Sequence, residues 1–339
     1  MMFINRLIMK KHIIEIAVLV AALAMSVCLF ACDRADKAPE KITLAIAATP
    51  QTGLVQIAQA RAYYREEGLE AVTLRHPDGK RALDDLLEGK ADFATVAETP
   101  VMFAILKGEK IFVIATIQTS SLAYAIVARR DMGILTFEDL RGKRVGASLG
   151  SSTHFFLDAM LVTHGIVRKD IKVVDLKAND IPDALAHGDI DAGSTFTPYI
   201  NFTQRKLGSQ VIIFRDKDFY RYNMVVVATQ DFTRKNPEKV RKMLRALVRA
   251  EVFVRDNPEA ARKIVAGFCG IEPDIVRDIW RDAKLDVTLD QSLVLALEDE
   301  SLWAIKNGLT KAAKVTNYLD YIYFDGLKSV KPEAVRILR

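Results

Sequence analysis

The run Gly150-Ser151-Ser152-Thr153 follows an apolar strand pattern ending at Ala147 and opens a helical pattern from Ser152. A helix start leaves backbone N–H groups without intrahelical partners, and its aligned peptide dipoles place roughly half a positive charge there. An oxyanion is matched to such a turn without any arginine. Glycine permits close backbone approach, and serine hydroxyls add donors. The plainer alternative is that Ser151 or Ser152 only caps its own helix. Comparable gatherings are Thr49, Gln51 and Thr52; Glu98 and Thr99; Gln118, Thr119 and Ser120; and Ser194, Thr195 and Thr197. Each stands where an apolar strand pattern ends, which is where open α/β sheets place ligands. As a set they would hold a polar solute by neutral hydrogen bonds, although any one of them also reads as a helix cap. Glu98 is discordant for an anion: it points away, meets an amine, or marks a cationic solute. Tyr220 and Tyr222 read as a wall of the same cleft or as a half-exposed loop pair.

Catalytic chemistry finds no comparable support. None of the histidines (His12, His76, His154, His164, His187) pairs with Cys, Asp or Glu at a metal-helix spacing. Ser151 lacks the Gly-X-Ser-X-Gly elbow, and no phosphate-binding Walker sequence occurs. Neither a metal, nor a cofactor, nor a catalytic residue is therefore expected. The three cysteines are too few for a disulfide scaffold, and Cys269, in Gly-Phe-Cys-Gly, reads as a small buried hydrophobe or a reactive thiol. The formal charge is +5. Arg6, Lys10 and Lys11 against Glu15 put +2 of it before residue 32, leaving +3. With no basic stripe interleaved with aromatics, a nucleic-acid partner is not expected.

The elements that must position these residues alternate. Strand patterns fall at Ile42–Ala47, Ala71–Arg75, Asp92–Val96 and Ile111–Ile117, with helices at Gly53–Tyr64 and Arg81–Leu87 and a third opened by Thr99 at N-cap and Pro100 at N1. The rhythm repeats through strands at Arg144–Ala147, Lys172–Leu176, Ile190–Gly193 and Val211–Phe214, with helices at Ser152–Thr163 and Ile181–His187. It predicts an α/β fold of two lobes, each a mostly parallel sheet flanked by helices. Leu122–Arg129 and Asn223–Thr229 are apolar enough to cross between the lobes as hinge segments. Residues 42–125 plus 226–339 would form the first lobe and 126–225 the second, able to close on a small molecule. The tail is helical, with starts at Pro237 and Pro258 and further helices at Pro273–Ala283, Gln291–Lys306 and Val315–Lys328. A monomer is expected.

Residues 1–31 read as a secretory signal. Its positive start is followed by the uncharged apolar run Ile16–Ala31, 16 residues long, short of the roughly 20 that span a bilayer. Leu29-Phe30-Ala31-Cys32 resembles a bacterial lipobox, which implies cleavage before Cys32, acylation of its thiol and residues 32–41 as a tether. Asp33 resembles the signal that retains lipoproteins on the inner membrane. A plain signal peptide and an uncleaved anchor are the alternatives.

Longer stretches carry a family resemblance. Thr136–Ile166 is similar to the corresponding stretch of aliphatic-sulfonate and taurine binding proteins of ABC importers, with Asp139, Leu140, Gly142, Lys143, Val145, Gly150, Ser151, Ser152 and His154 in place. Tyr63–Leu69, Leu86–Phe93 and Ala186–Ala192 resemble further motifs of the superfamily that binds nitrate, sulfonates and thiamine precursors. The resemblance covers roughly 40–330. It implies a type II periplasmic binding fold, a small-molecule ligand, and delivery to a permease and ATPase at the periplasmic face of the inner membrane.

Overall fold

The computed structural model describes residues 38–217 and 219–338. The expected signal at 1–31, Cys32 and the start of the tether lie outside the described residues. Two five-stranded sheets organise the rest. The first contains β1 (Glu40–Ala47), β2 (Leu69–His76), β3 (Phe93–Ala97), β4 (Ile111–Ser120) and β10 (Tyr222–Thr229), in the order β2-β1-β3-β10-β4. The second contains β5 (Tyr124–Arg129), β6 (Arg144–Ala147), β7 (Lys172–Asp175), β8 (Ala192–Phe196) and β9 (Val211–Phe214), in the order β7-β6-β8-β5-β9.

In each sheet the first three strands of that order pair parallel, and the fourth runs antiparallel to both of its neighbours. The sheets are thus mostly parallel with one reversed strand, and they share one wiring plan. Helices cover both faces, which is why β3, with the sequence FATVA, is buried along its whole length. In β5 the two-residue period separates faces: Tyr124, Ile126 and Ala128 join the large core, while Ala125 and Val127 join a smaller cluster with Ile181, Leu185 and Ile200.

The chain passes between sheets at residues 121–123 and again between β9 and β10. The segments expected to cross, Leu122–Arg129 and Asn223–Thr229, lie almost wholly within β5 and β10, each in a single sheet. Their apolar character comes from central positions in those sheets, with neighbours on both sides. Asp282 pins the outward passage: its Oδ2 accepts from Ser120 Oγ and from the backbone N–H groups of Ser121 and Leu122 at 2.7–2.8 Å.

Other expectations need correction. The helix from Gly53 stops at Ala60, because Ala62 is left-handed (φ 57°), and resumes only for Tyr63–Glu66. Val315–Lys328 is not one helix but a short 3-10 turn, Tyr318–Tyr321, and the helix Phe324–Val330. Pro237–Asp256 does form, with proline in its first turn and Val240, Met243, Leu244, Leu247 and Ala250 buried along one stripe. Among the described residues no helix is long and apolar enough to cross a membrane.

Candidate functional site

A cavity of about 350 Å³ lies between the lobes at the strand ends, within the size range of small-molecule sites. The first lobe lines it from the ends of β1, β2 and β3 with Thr49, Gln51, the Asp78–Arg81 turn, Ala97 and Pro100. The second lobe supplies Ser148, Leu149, Ser151, Ser152 and Thr153 after β6, and Lys177 after β7. Tyr124, Phe196, Tyr222 and Met224 make its aromatic and apolar wall. Tyr124 and Tyr222 meet edge to face with centroids 5.4 Å apart, and Tyr124 pairs with Phe196 across β5 and β8.

Several helix N-termini converge here: Gly53–Ala60 through its preceding turn, Gly79–Leu87, Glu98–Leu106 and Ser152–Thr163. Gly79 lets its helix sit hard against β3, since a Cβ there would stand 2.8 Å from Val96 Cα. Gly150 has φ +73° and open space around it, so its requirement is the left-handed turn itself.

The expected site residues divide. Thr49, Gln51, Ser151, Ser152 and Thr153 line the cavity. Ser151 acts as the helix cap: its Oγ accepts from Thr153 N–H and donates to the Ser148 carbonyl at 2.7 Å. The Ser152 hydroxyl is buried beside the Tyr124 phenol and closes no hydrogen bond of good geometry among the described residues, and Gln51 Oε1 and the Tyr222 hydroxyl are likewise buried without a partner there. Those three atoms belong to cavity-lining residues. A buried polar group without a hydrogen bond is costly, so each is a candidate contact for a bound solute.

The remaining candidates do not line this cavity. Thr52 donates to the Ala47 carbonyl at 2.7 Å. Thr99 does not cap its helix; its hydroxyl donates to Glu300 Oε1 at 2.8 Å. Gln118 and Thr119 fall inside β4, which continues to Ser120, and Ser120 binds Asp282. Gly150 borders a neighbouring cavity, and the Thr195 hydroxyl is turned to the Ala178 carbonyl. Thr197 instead receives Gln51 Nε2, on its hydroxyl at 2.9 Å and on its carbonyl.

Glu98 points away from the cavity. It is fully buried and accepts from Tyr220 Oη at 2.7 Å and from Asn223 N–H at 2.9 Å. Burial raises its carboxyl to about 7 against those hydrogen bonds. Glu300, also fully buried, has Oε1 3.3 Å from the same phenol; burial and then the Glu98 charge push it well up. Of the two tyrosines, only Tyr222 lines the cavity.

Charges at the cavity are mostly self-paired: Lys80 with Asp84 at 3.2 Å and Arg81 with Asp78 at 3.8 Å. Lys177 and Asp175, both exposed at the edge, form no ion pair among the described residues, and the Asp175 carboxylate accepts from the Leu149 N–H at 3.1 Å. No group of His, Cys, Asp and Glu among the described residues could hold a metal. Cys269 is half-buried, with its sulfur 3.6 Å from Gln56 Oε1 and its thiol pushed up to about 12 by burial.

The sequence reading missed Asp78–Arg81 and Lys177. Both follow strand ends, β2 and β7, so the rule that found Thr49 and Ser152 would have found them too. Tyr124, Phe196 and Met224 lie inside strands, and only sheet register brings them to the cavity.

The family model described as NMT1/THI5 like matches residues 49–261. A Bacillus subtilis protein named "Putative aliphatic sulfonates-binding protein" is 22% identical over 238 residues, 70% of this chain and 71% of the relative. The 4-amino-5-hydroxymethyl-2-methylpyrimidine phosphate synthase of Aspergillus parasiticus is 26% identical over 217 residues, 60% of this chain and 63% of that protein. Among solved structures, the periplasmic aliphatic sulphonate binding protein of Escherichia coli superposes with a TM-score of 0.71 at 19% identity, covering 85% of this chain and 98% of that one. That likeness establishes the fold.

Proposed function

The chain belongs to the NMT1/THI5-like family, and from that premise we propose that it is the extracytoplasmic solute-binding component of an ABC importer. It holds a small polar or anionic organic solute, of sulfonate or taurine type, between its lobes and hands it to a permease driven by an ATPase subunit. The observation that carries this reading is the set of buried polar atoms on Gln51, Ser152 and Tyr222 around one cavity that close no hydrogen bond among the described residues. Ser152 offers its hydroxyl beside a helix N-terminus, which favours an oxyanion, while Lys177 and Asp175 set one positive and one negative charge at the edge.

A second reading has its own support. The rings of Tyr124, Phe196 and Tyr222 suit a flat heterocycle, so a thiamine-type pyrimidine is the alternative solute, and the Aspergillus relative makes turnover of such a molecule worth assaying. Nitrate is a smaller candidate of the same charge as a sulfonate. The test is calorimetry and thermal shift with ethanesulfonate, taurine, nitrate and an aminopyrimidine. A solute at 100 times its dissociation constant adds about 2.7 kcal/mol of stability. Sulfonate binding without turnover supports the first reading. Binding of the pyrimidine alone replaces it.

The anchor is part of the proposal. Acylated Cys32 would tether the protein to the periplasmic face of the inner membrane. Cys32→Ser should move it to the soluble fraction or block its processing; a variant processed normally and still membrane-bound would refute the tether.

A further inference from the structure

Two carboxyls outside the solute cavity share one phenol. Tyr220 Oη lies 2.7 Å from Glu98 Oε1 and 3.3 Å from Glu300 Oε1, and all three side chains are buried. Tyr220 belongs to the chain's return between the sheets, just before β10. Glu98 and Glu300 come from the first-lobe helices Glu98–Leu106 and Gln291–Lys306. The second lobe supplies the cover. Phe155, on the helix Ser152–Thr163, meets Tyr220 and Trp303 edge-on with centroids 5.4 and 5.3 Å apart. Trp303 stands three residues after Glu300, on the same side of its helix.

We propose that Glu98, Tyr220 and Glu300 form a proton-dependent latch: the lobes stay together while the two carboxyls hold a proton between them, and part more readily once both are ionised. The inference concerns the lobe equilibrium itself and goes beyond the solute reading, whichever solute the cleft takes.

The hydrogen bonds call for that proton. The phenol has one proton for two acceptors, so it serves one carboxylate at a time. Glu98 Oε2 has the Asn223 N–H at 2.9 Å, and Glu300 Oε1 has the Thr99 hydroxyl at 2.8 Å. Glu300 Oε2 is buried with no partner among the described residues. A charge left there is costly, and a proton removes the cost. Two ionised carboxylates across one phenol would also repel each other where little water screens them. Burial raises both carboxyls, Glu98 to about 7. Facing the pair are Asp299 on the helix of Glu300, Tyr124 of β5, Tyr222 of β10 and Tyr318; none of these is a cation, and burial pushes the three phenols up and keeps them neutral. Beyond Trp303 lie His154, held neutral by burial, and Asp158, paired with Arg168.

Parting the lobes draws Phe155 away from Tyr220 and Trp303 and lets water reach the carboxyls. Their values then fall back toward the ordinary range, so the open form is the stronger acid. The closed form's advantage is complete below the ordinary 4.5 and is lost as pH rises through about 7. For one proton, the open-to-closed ratio climbs by at most about tenfold per pH unit.

The experiment is X-ray scattering of the ligand-free protein between pH 5 and 8, on the wild type and on the double variant Glu98→Gln with Glu300→Gln, with melting curves to check folding. The expected result is a wild-type radius of gyration that grows with pH and levels off above about 7, and a double-variant radius that stays constant. A wild-type radius independent of pH overturns the latch, as does a rise of equal size in the double variant. Should the double variant not fold, Glu300→Gln alone decides. It keeps an acceptor for Thr99 and removes one charge, so the midpoint of the radius change should fall by about one pH unit. A midpoint left in place overturns the pairing of the two carboxyls.

Discussion

Gln51 Nε2 donates to Thr197 Oγ1 at 2.9 Å across the cleft, while Gln51 Oε1 is buried without a partner among the described residues. One amide therefore ties the lobes together with one end and is available to a solute with the other. Gln51→Leu should remove both interactions and weaken solute binding about tenfold, given about 0.5–1.5 kcal/mol for each neutral hydrogen bond. The ligand-free variant should scatter X-rays with a larger radius of gyration than the wild type, which measures the opening. Gln51→Glu separates solute charges: it should cost an anionic solute much more than Gln51→Leu does, and a cationic one less.

The two serines of the turn should behave oppositely. Ser151 caps its helix, so Ser151→Ala should lower stability by about 1 kcal/mol, read as a drop in denaturant midpoint, with affinity changed by less than threefold. Ser152 is buried and its hydroxyl closes no hydrogen bond of good geometry among the described residues. Ser152→Ala should therefore weaken an anion at least fivefold with little loss of stability. If the affinity effect falls on Ser151 instead, Ser152 does not contact the solute.

This division was invisible in the amino-acid sequence, for a physical reason. A hydroxyl at a strand end looks the same whether it meets a solute or a distant part of the chain. Thr99 binds Glu300, 201 residues away, and Ser120 binds Asp282, 162 residues away; neither partner is marked by local spacing. The alternation of strands and helices was legible because burial on both faces gives runs such as FATVA. The sheet order was not, since β10 reaches its place between β3 and β4 only after the whole second lobe has been made. Asp78-Gly79 was legible and overlooked, as a turn directly after β2.

Glu98 and Glu300 predict a pH dependence of stability. The ordinary value of the Glu98 carboxyl is 4.5, and in the fold it rises to about 7, chiefly through burial. The folded state thus prefers the neutral form. Its contribution is fully present below about 4.5 and is lost as pH rises through about 7. Glu98→Gln keeps an acceptor but cannot ionise. Its urea midpoint relative to wild type should rise between pH 4.5 and about 7 and level off above that. Parallel wild-type and variant curves would show that the buried pair does not titrate in this range.

Trp303 holds another flank of the cleft. Its Nε1 donates to Asp158 Oδ2 at 3.1 Å, from the first-lobe helix Gln291–Lys306 to the second-lobe helix Ser152–Thr163, and its ring meets Phe155 edge-on with centroids 5.3 Å apart. Asp158 is also held by Arg168 at 3.1 Å, so Trp303→Phe removes the hydrogen bond across the cleft without leaving the carboxylate unpaired. If lobe opening releases the solute, a bond lost on opening resists release and contributes little to first encounter, so its loss should appear in the off-rate. Trp303→Phe should speed solute dissociation about two- to tenfold in stopped-flow measurements, matching about 0.5–1.5 kcal/mol for the lost bond, with the on-rate nearly unchanged. His154, beside the same ring, is lowered to about 4, chiefly by burial, so it should stay neutral and leave the effect constant between pH 8 and 5. An off-rate equal to that of wild type would mean that the lobes do not part along this flank when the solute leaves.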